Sequence, residues 1–91
     1  MQIVKNAVAG TLESSDIYVE IAPAEAGSGI ALNLTSVVMQ QFGPEIEAVI
    51  RETLAGLGVE DAVLTVSDRG AVDCTIRSRV ETAVCRGQGA A

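Results

Sequence analysis

Apolar and polar positions along the chain follow two periods, and they change over in the same places as the turn residues. Residues 7–13 and 16–22 read as two strands; in the second, Ile17, Val19 and Ile21 alternate with Tyr18 and Glu20. Ser14 and Ser15 between them fit a tight turn, with Asp16 able to cap the backbone. Pro23 ends the second strand because it cannot donate to a ladder. A loop of small residues, 24–29, leads to a third strand over 30–35, where Ile30, Leu32 and Leu34 alternate with Ala31, Asn33 and Thr35.

The period then lengthens. Ser36 has the chemistry of a helix N-cap, and helical turns through Phe42 are expected to be interrupted at Gly43-Pro44. Pro44 suits the first turn of a new helix. From there Ile46, Val49, Ile50, Thr53, Leu54 and Leu57 share one face, and Glu45, Glu47, Arg51 and Glu52 the other. Gly56 and Gly58 supply a stop. A fourth strand is expected over 61–67, with Ala62, Leu64 and Val66 on one face, then a turn at Asp68-Arg69-Gly70. In the last helix Val72, Ile76, Val80, Ala83 and Val84 form the core stripe, with Cys74, Ser78, Glu81 and Cys85 opposite. The order βββ-α-β-α predicts an α+β fold: a mainly antiparallel four-stranded sheet with two helices on one face.

Length changes this picture little. Ninety-one residues make one domain, expected over 1–86 with a flexible tail over 87–91. A chain of this size buries roughly 60–65% of its unfolded surface, so partner contacts matter to it. Hydrophobic residues are 48% of the chain, too many for disorder. Phe42 and Tyr18 are the only rings, so the core is aliphatic and no base-stacking platform exists.

Charge and cysteines exclude more. A net charge of −6 repels nucleic acid and anionic lipid. No apolar run is long enough to span a membrane, and residues 1–6 lack the apolar core of a signal peptide; a cytoplasmic location is expected. Cys74 and Cys85, on one helix, would stand about 16 Å apart. A disulfide needs Cα atoms within about 7 Å, so two reduced thiols are expected.

Little is left for chemistry. There is no His and hence no Cys-His dyad. Gly27-Ser28-Gly29 precedes a strand rather than a helix and lacks a third glycine, so it is no phosphate loop. Glu45, Glu47 and Glu52 lie on a solvated face with nothing to tune a pKa, and Glu47 with Arg51 makes an i,i+4 pair. Asp68 and Asp73 most simply cap the last helix or its turn. Ser14 and Ser15 admit two readings: turn residues only, which is the commoner case, or an exposed hydroxyl open to covalent modification.

The run Ala7-Val8-Ala9-Gly10-Thr11-Leu12-Glu13-Ser14-Ser15-Asp16, followed by 17–21 and Ala22-Pro23, resembles the acyl carrier protein of citrate lyase, its gamma subunit. Gln41-Phe42-Gly43 and Asp68-Arg69-Gly70-Ala71-Val72-Asp73-Cys74 add to the resemblance, which covers nearly the whole chain in order. In that family a serine of a Glu-Ser-small-Asp motif carries 2'-(5''-phosphoribosyl)-3'-dephospho-CoA through a phosphodiester. The matching residue is Ser14, and the family often has Gly where this chain has Ser15.

The resemblance implies a phosphoprotein of citrate fermentation that is not itself an enzyme. It would present acetyl and citryl thioesters to the alpha subunit (acyl transfer) and the beta subunit (citryl cleavage). A prosthetic-group transferase and an acetylating ligase would be further partners. The acidic surface is expected to guide docking to basic patches. The acyl carrier subunit of malonate decarboxylase is the alternative within the class; its serine motif resembles Gly-Ser-Gly-Asp, where this chain has Glu13 and Ser15. A non-catalytic regulatory or binding module is the alternative outside it, in which Ser14→Ala would be silent. A free-standing enzyme fits least.

Overall fold

The structure is a computed structural model that describes residues 2–89. Four strands and two helices occur in the order β1 (Ala7–Gly10), β2 (Ile17–Pro23), β3 (Ile30–Ser36), α1 (Met39–Gly56), β4 (Ala62–Asp68) and α2 (Asp73–Gly87). The strands form one sheet in the order β1-β2-β4-β3. Along β2 the inward Ile17, Val19 and Ile21 are buried, and along β4 so are Ala62, Leu64 and Val66. The alternating residues face away from the helices. α2 packs on β1 and β2, while α1 packs on β3 and on α2. Ile50, Leu54, Ile76, Val80 and Val84 complete the aliphatic core. Each such side chain contributes roughly 1.5–3 kcal/mol by leaving water.

The sheet is mixed, which corrects the expectation of a mainly antiparallel one. β1–β2 and β2–β4 are antiparallel, but β3–β4 is parallel, with Ser36 paired to Asp68. The cause is connectivity. α1 lies between β3 and β4, and a helical crossover returns the chain to the starting end of the sheet, where only a parallel strand can form.

Local chemistry departs from expectation in three further places. α1 is continuous through Gly43-Pro44, with Pro44 at its sixth residue. Pro44 gives no N–H to the Gln40 carbonyl, and Gln40 is an exposed residue, where losing that bond costs less than it would in the core. Ile46, Val49, Ile50 and Leu54 hold the helix to the core on either side of the loss. Ser36 is not the N-cap: it ends β3, and Val38 precedes the first helical residue. Val72 is not core but 62% exposed, because it caps α2 rather than standing in its stripe.

The two ends of the described chain are stitched together. α2 runs through Gly87, which is buried, and its carbonyl accepts from the N–H groups of Val4 (2.9 Å) and Lys5 (3.2 Å). The residues 87–91 expected as a tail thus begin inside the helix; Ala90 and Ala91 lie outside the described residues.

Candidate functional site

The first strand closes earlier than the pattern predicts. β1 stops at Gly10, and residues 11–16 form a six-residue loop before β2 rather than a two-residue turn. Gly10 makes the stem narrow. Its φ is +91°, and a Cβ there would stand 1.8 Å from the Ile17 carbonyl oxygen. Only glycine fits both demands.

The loop is pinned on both sides of Ser14. Asp16 donates its N–H to the Glu13 carbonyl (3.2 Å) and accepts at its own carbonyl from the Arg69 N–H (2.9 Å). Ser15 donates its N–H to the Arg69 carbonyl (2.9 Å). These last two bonds continue the β2–β4 ladder past Ile17 and Asp68, so the loop's second half is an extension of the sheet. Ser15 has φ +63°, a left-handed conformation that explains why a glycine would suit that position.

The Asp16 carboxylate organises the rest. It accepts from the Thr11 hydroxyl (2.6 Å), the Ile17 N–H (2.8 Å) and two guanidinium nitrogens of Arg79 (3.0 and 3.1 Å). The Thr11 hydroxyl first and then Arg79 lower its carboxyl to about 2, with the Ile17 N–H adding to them and burial opposing. The expectation that Asp16 caps the backbone is met through Ile17. Its partner Arg79, sixty-three residues away, is the residue the sequence reading missed. A signal existed: Arg79 stands three residues after Ile76 and four before Ala83, on the border of the apolar stripe, where a cation needs a carboxylate.

Ser14 itself is exposed, and among the described residues no group hydrogen-bonds its hydroxyl. Ser15 is exposed beside it. Asp68, under the loop, is 2% exposed. Its carboxylate accepts from the Ser36 hydroxyl (2.8 Å) and from the N–H groups of Gly70 (3.1 Å) and Ala71 (3.0 Å), which makes it the cap of the 69–71 turn. Asp73 opens α2 but gives no side-chain cap.

The other expected residues lie apart from this site. Glu47 and Arg51 form the i,i+4 pair at 2.8 Å on the solvated face of α1. Cys74 and Cys85 are free and exposed on α2. Among the described residues no cluster of His, Cys, Asp and Glu could hold a metal, and no helix is long and apolar enough to cross a membrane.

The chain is 55% identical over 86 residues to citrate lyase acyl carrier protein 2 of Salmonella paratyphi A and 56% identical over 86 residues to the citrate lyase acyl carrier protein of Escherichia fergusonii; both alignments cover 94% of this chain and 88% of the relative. It is 52% identical over 89 residues to the protein of that name from Albidiferax ferrireducens, covering 98% of this chain and 90% of the other. The chain belongs to the citrate lyase acyl carrier protein family. The family model "Malonate decarboxylase delta subunit (MdcD)" also matches residues 4–87. The same fold occurs in a chain of a Pseudomonas malonate decarboxylase hetero-tetramer in complex with malonate, with a TM-score of 0.77 at 17% identity over 94% of this chain and 87% of that one. The fold is thus shared with a malonate decarboxylase chain, while the sequence similarity above 50% is to citrate lyase acyl carrier proteins.

Proposed function

We propose that this chain is the acyl carrier subunit of citrate lyase, bearing its prosthetic group on the Ser14 hydroxyl. The observation that carries the reading is the state of that hydroxyl: exposed, unengaged, and held on a loop whose backbone is fixed at Glu13, Ser15 and Asp16. A phosphodiester needs a primary hydroxyl that a transferase can approach, and Ser14 fits. Glu13 and Ser15, both exposed, leave room on either side.

The group proposed is 2'-(5''-phosphoribosyl)-3'-dephospho-CoA. It supplies a thiol on a long arm, on which acyl groups ride as thioesters. The chain supplies the anchor. Gly10, Arg69 and the Asp16–Arg79 contact hold the base of the arm still, so its reach is set by the group and not by a wandering loop. Tethering raises the local concentration of the acyl group at whichever subunit is docked. The alpha and beta subunits of citrate lyase are the proposed partners, with a transferase and an acetylating ligase acting earlier, and the cytoplasm the proposed location. The chain itself catalyses nothing in this scheme; Asp16, whose carboxyl is lowered to about 2, is occupied in holding the loop. Identity of 51–56% to citrate lyase carriers, against 17% to the malonate decarboxylase chain, favours the former.

Intact mass with peptide mapping on protein from the native host growing on citrate tests this. An adduct of the prosthetic group's mass on the Ser14 peptide, absent from Ser14→Ala and retained in Ser15→Gly, is expected. An unmodified mass, or an adduct that stays in Ser14→Ala, overturns it.

A further inference from the structure

The large apolar side chains left exposed are unevenly distributed. Val4 and Val8 lie on the N-terminal segment and β1, but Leu12, Val37 and Val72 lie in connections, and Met39 and Phe42 in the first turn of α1, at a single end of the sheet. The register shows this. Ile17 and Ser36 both pair with Asp68, so the 11–16 loop, the β3–α1 connection and the β4–α2 turn meet there. Val37 donates its N–H to the Asp68 carbonyl (3.2 Å), the next residue Arg69 donates to Asp16, and Ser15 donates to Arg69. A continuous line of backbone bonds thus joins Val37 to the Ser14 loop.

Between the starts of the two helices at this end runs a groove of about 440 Å³. Val38, Phe42, Ile46, Ala71 and Ile76 line it, with Glu45 and Asp73 at its edge. Its walls are set: Asp68 fixes Ala71 from below, and Ile46 and Ile76 are core residues. A soluble domain keeps apolar exposure scattered unless a patch has a use. An apolar centre with a charged border is the anatomy of a protein interface.

We propose that this end is the docking face of the carrier: an apolar collar formed by Phe42, Val72, Val37 and Met39, which receives the acyl-processing subunits next to Ser14. The proposal rests on the carrier reading. The occupant is an enzyme surface that places an apolar side chain in the groove and lysine or arginine against Glu45 and Asp73. Charge selects this partner, since the border of the groove is acidic and the whole chain carries −6. Docking at this end places the partner beside the loop that anchors the arm.

The test uses the full-length, Ser14-loaded chain and the separately purified alpha and beta subunits, with affinities from titration calorimetry. Phe42→Ser and Val72→Ser, each at an exposed position and checked by circular dichroism for native fold, are expected to weaken binding to at least one subunit by about tenfold or more. Glu45→Lys is expected to weaken it more at low than at high salt. Val8→Ser, exposed but away from the collar, is expected to change it less than twofold. Unchanged affinity in Phe42→Ser and Val72→Ser, or an equal loss in Val8→Ser, overturns the proposal. So does a concentration-dependent dimer of the chain in sedimentation that Phe42→Ser abolishes, since the collar would then serve a second copy. Mass of the Ser14 peptide separates the two readings: a loaded Ser14 with unaffected docking sinks the collar alone, and an unloaded Ser14 sinks the carrier.

Discussion

Arg79 of α2 grips Asp16 at the foot of the Ser14 loop through two parallel hydrogen bonds, 3.1 Å from Nε and 3.0 Å from an Nη. The contact ties the loop to the helix that covers β1 and β2. It is the planar, two-point pairing that arginine makes and lysine cannot. Asp16→Asn keeps the shape but halves the pairing and removes the charge. A loss of about 1–2 kcal/mol is expected, at the low end for charged pairs because Arg79 stays partly in water. Urea unfolding measures it. Arg79→Lys should lose nearly as much as Arg79→Leu; full retention by the lysine would show that charge alone, not two-point geometry, holds the loop.

The same contact sets an acid limit. Asp16 ionises at about 2 in the folded chain against 3.8 ordinarily. Folding therefore weakens its hold on a proton, and its contribution is complete above about pH 4 and is lost as pH falls from there toward 2. Stability of the wild type should drop faster through that window than that of Asp16→Asn, the two curves converging at the acid end. Parallel curves would mean that Asp16 contributes nothing through its charge.

Gly10 and Ser15 should respond in opposite senses. Gly10→Ala drives a Cβ into the Ile17 carbonyl at a φ of +91°, and a loss of about 3 kcal/mol or more is expected. Ser15 already has φ +63°. Ser15→Gly relieves roughly 1–2 kcal/mol of left-handed strain and gives part back through a freer unfolded chain, for a net gain of about 0.5–1 kcal/mol. Thermal unfolding of both variants checks the pair, and a destabilised Ser15→Gly would count against the loop geometry.

Pro44 sits inside α1, not at its start. Pro44→Ala restores an N–H for the Gln40 carbonyl and should stabilise by about 1 kcal/mol, less than the full interior penalty because the variant's unfolded chain is freer. If the ring were instead initiating a second helix, the variant would lose stability.

What the sequence displays well is whatever depends on neighbours. Ile17, Val19 and Ile21 announce β2, the stripe from Ile46 to Leu54 announces α1, and Glu47 with Arg51 announces its pair. Ser14 stands out as a candidate because the motif that flanks it is local. What stays hidden depends on residues far apart. Pairing of Ser36 with Asp68 makes the sheet mixed, and it follows from how the chain returns after α1 rather than from any strand's own pattern. Arg79 looks like a surface cation until Asp16 is brought to it. Val72 has the spacing of a core residue, but it stands one position before the helix that would have turned it inward. Pro44 reads as a boundary by propensity, yet burial on both sides of it outweighs one absent hydrogen bond.

The stitch between Gly87 and the Val4–Lys5 backbone has a practical side. β1 begins at the end of the sheet where Ala7 meets Ile21, and the Ser14 loop is at the other, where Gly10 meets Tyr18. A fluorophore, an affinity handle or a linker to another protein added before Val4 or after Gly87 therefore sits a full strand length from the arm and its collar. With Val4 and Gly87 in one place, the described chain can also be joined there into a ring and reopened in the 24–29 loop, giving a carrier whose new ends flank a loop remote from Ser14.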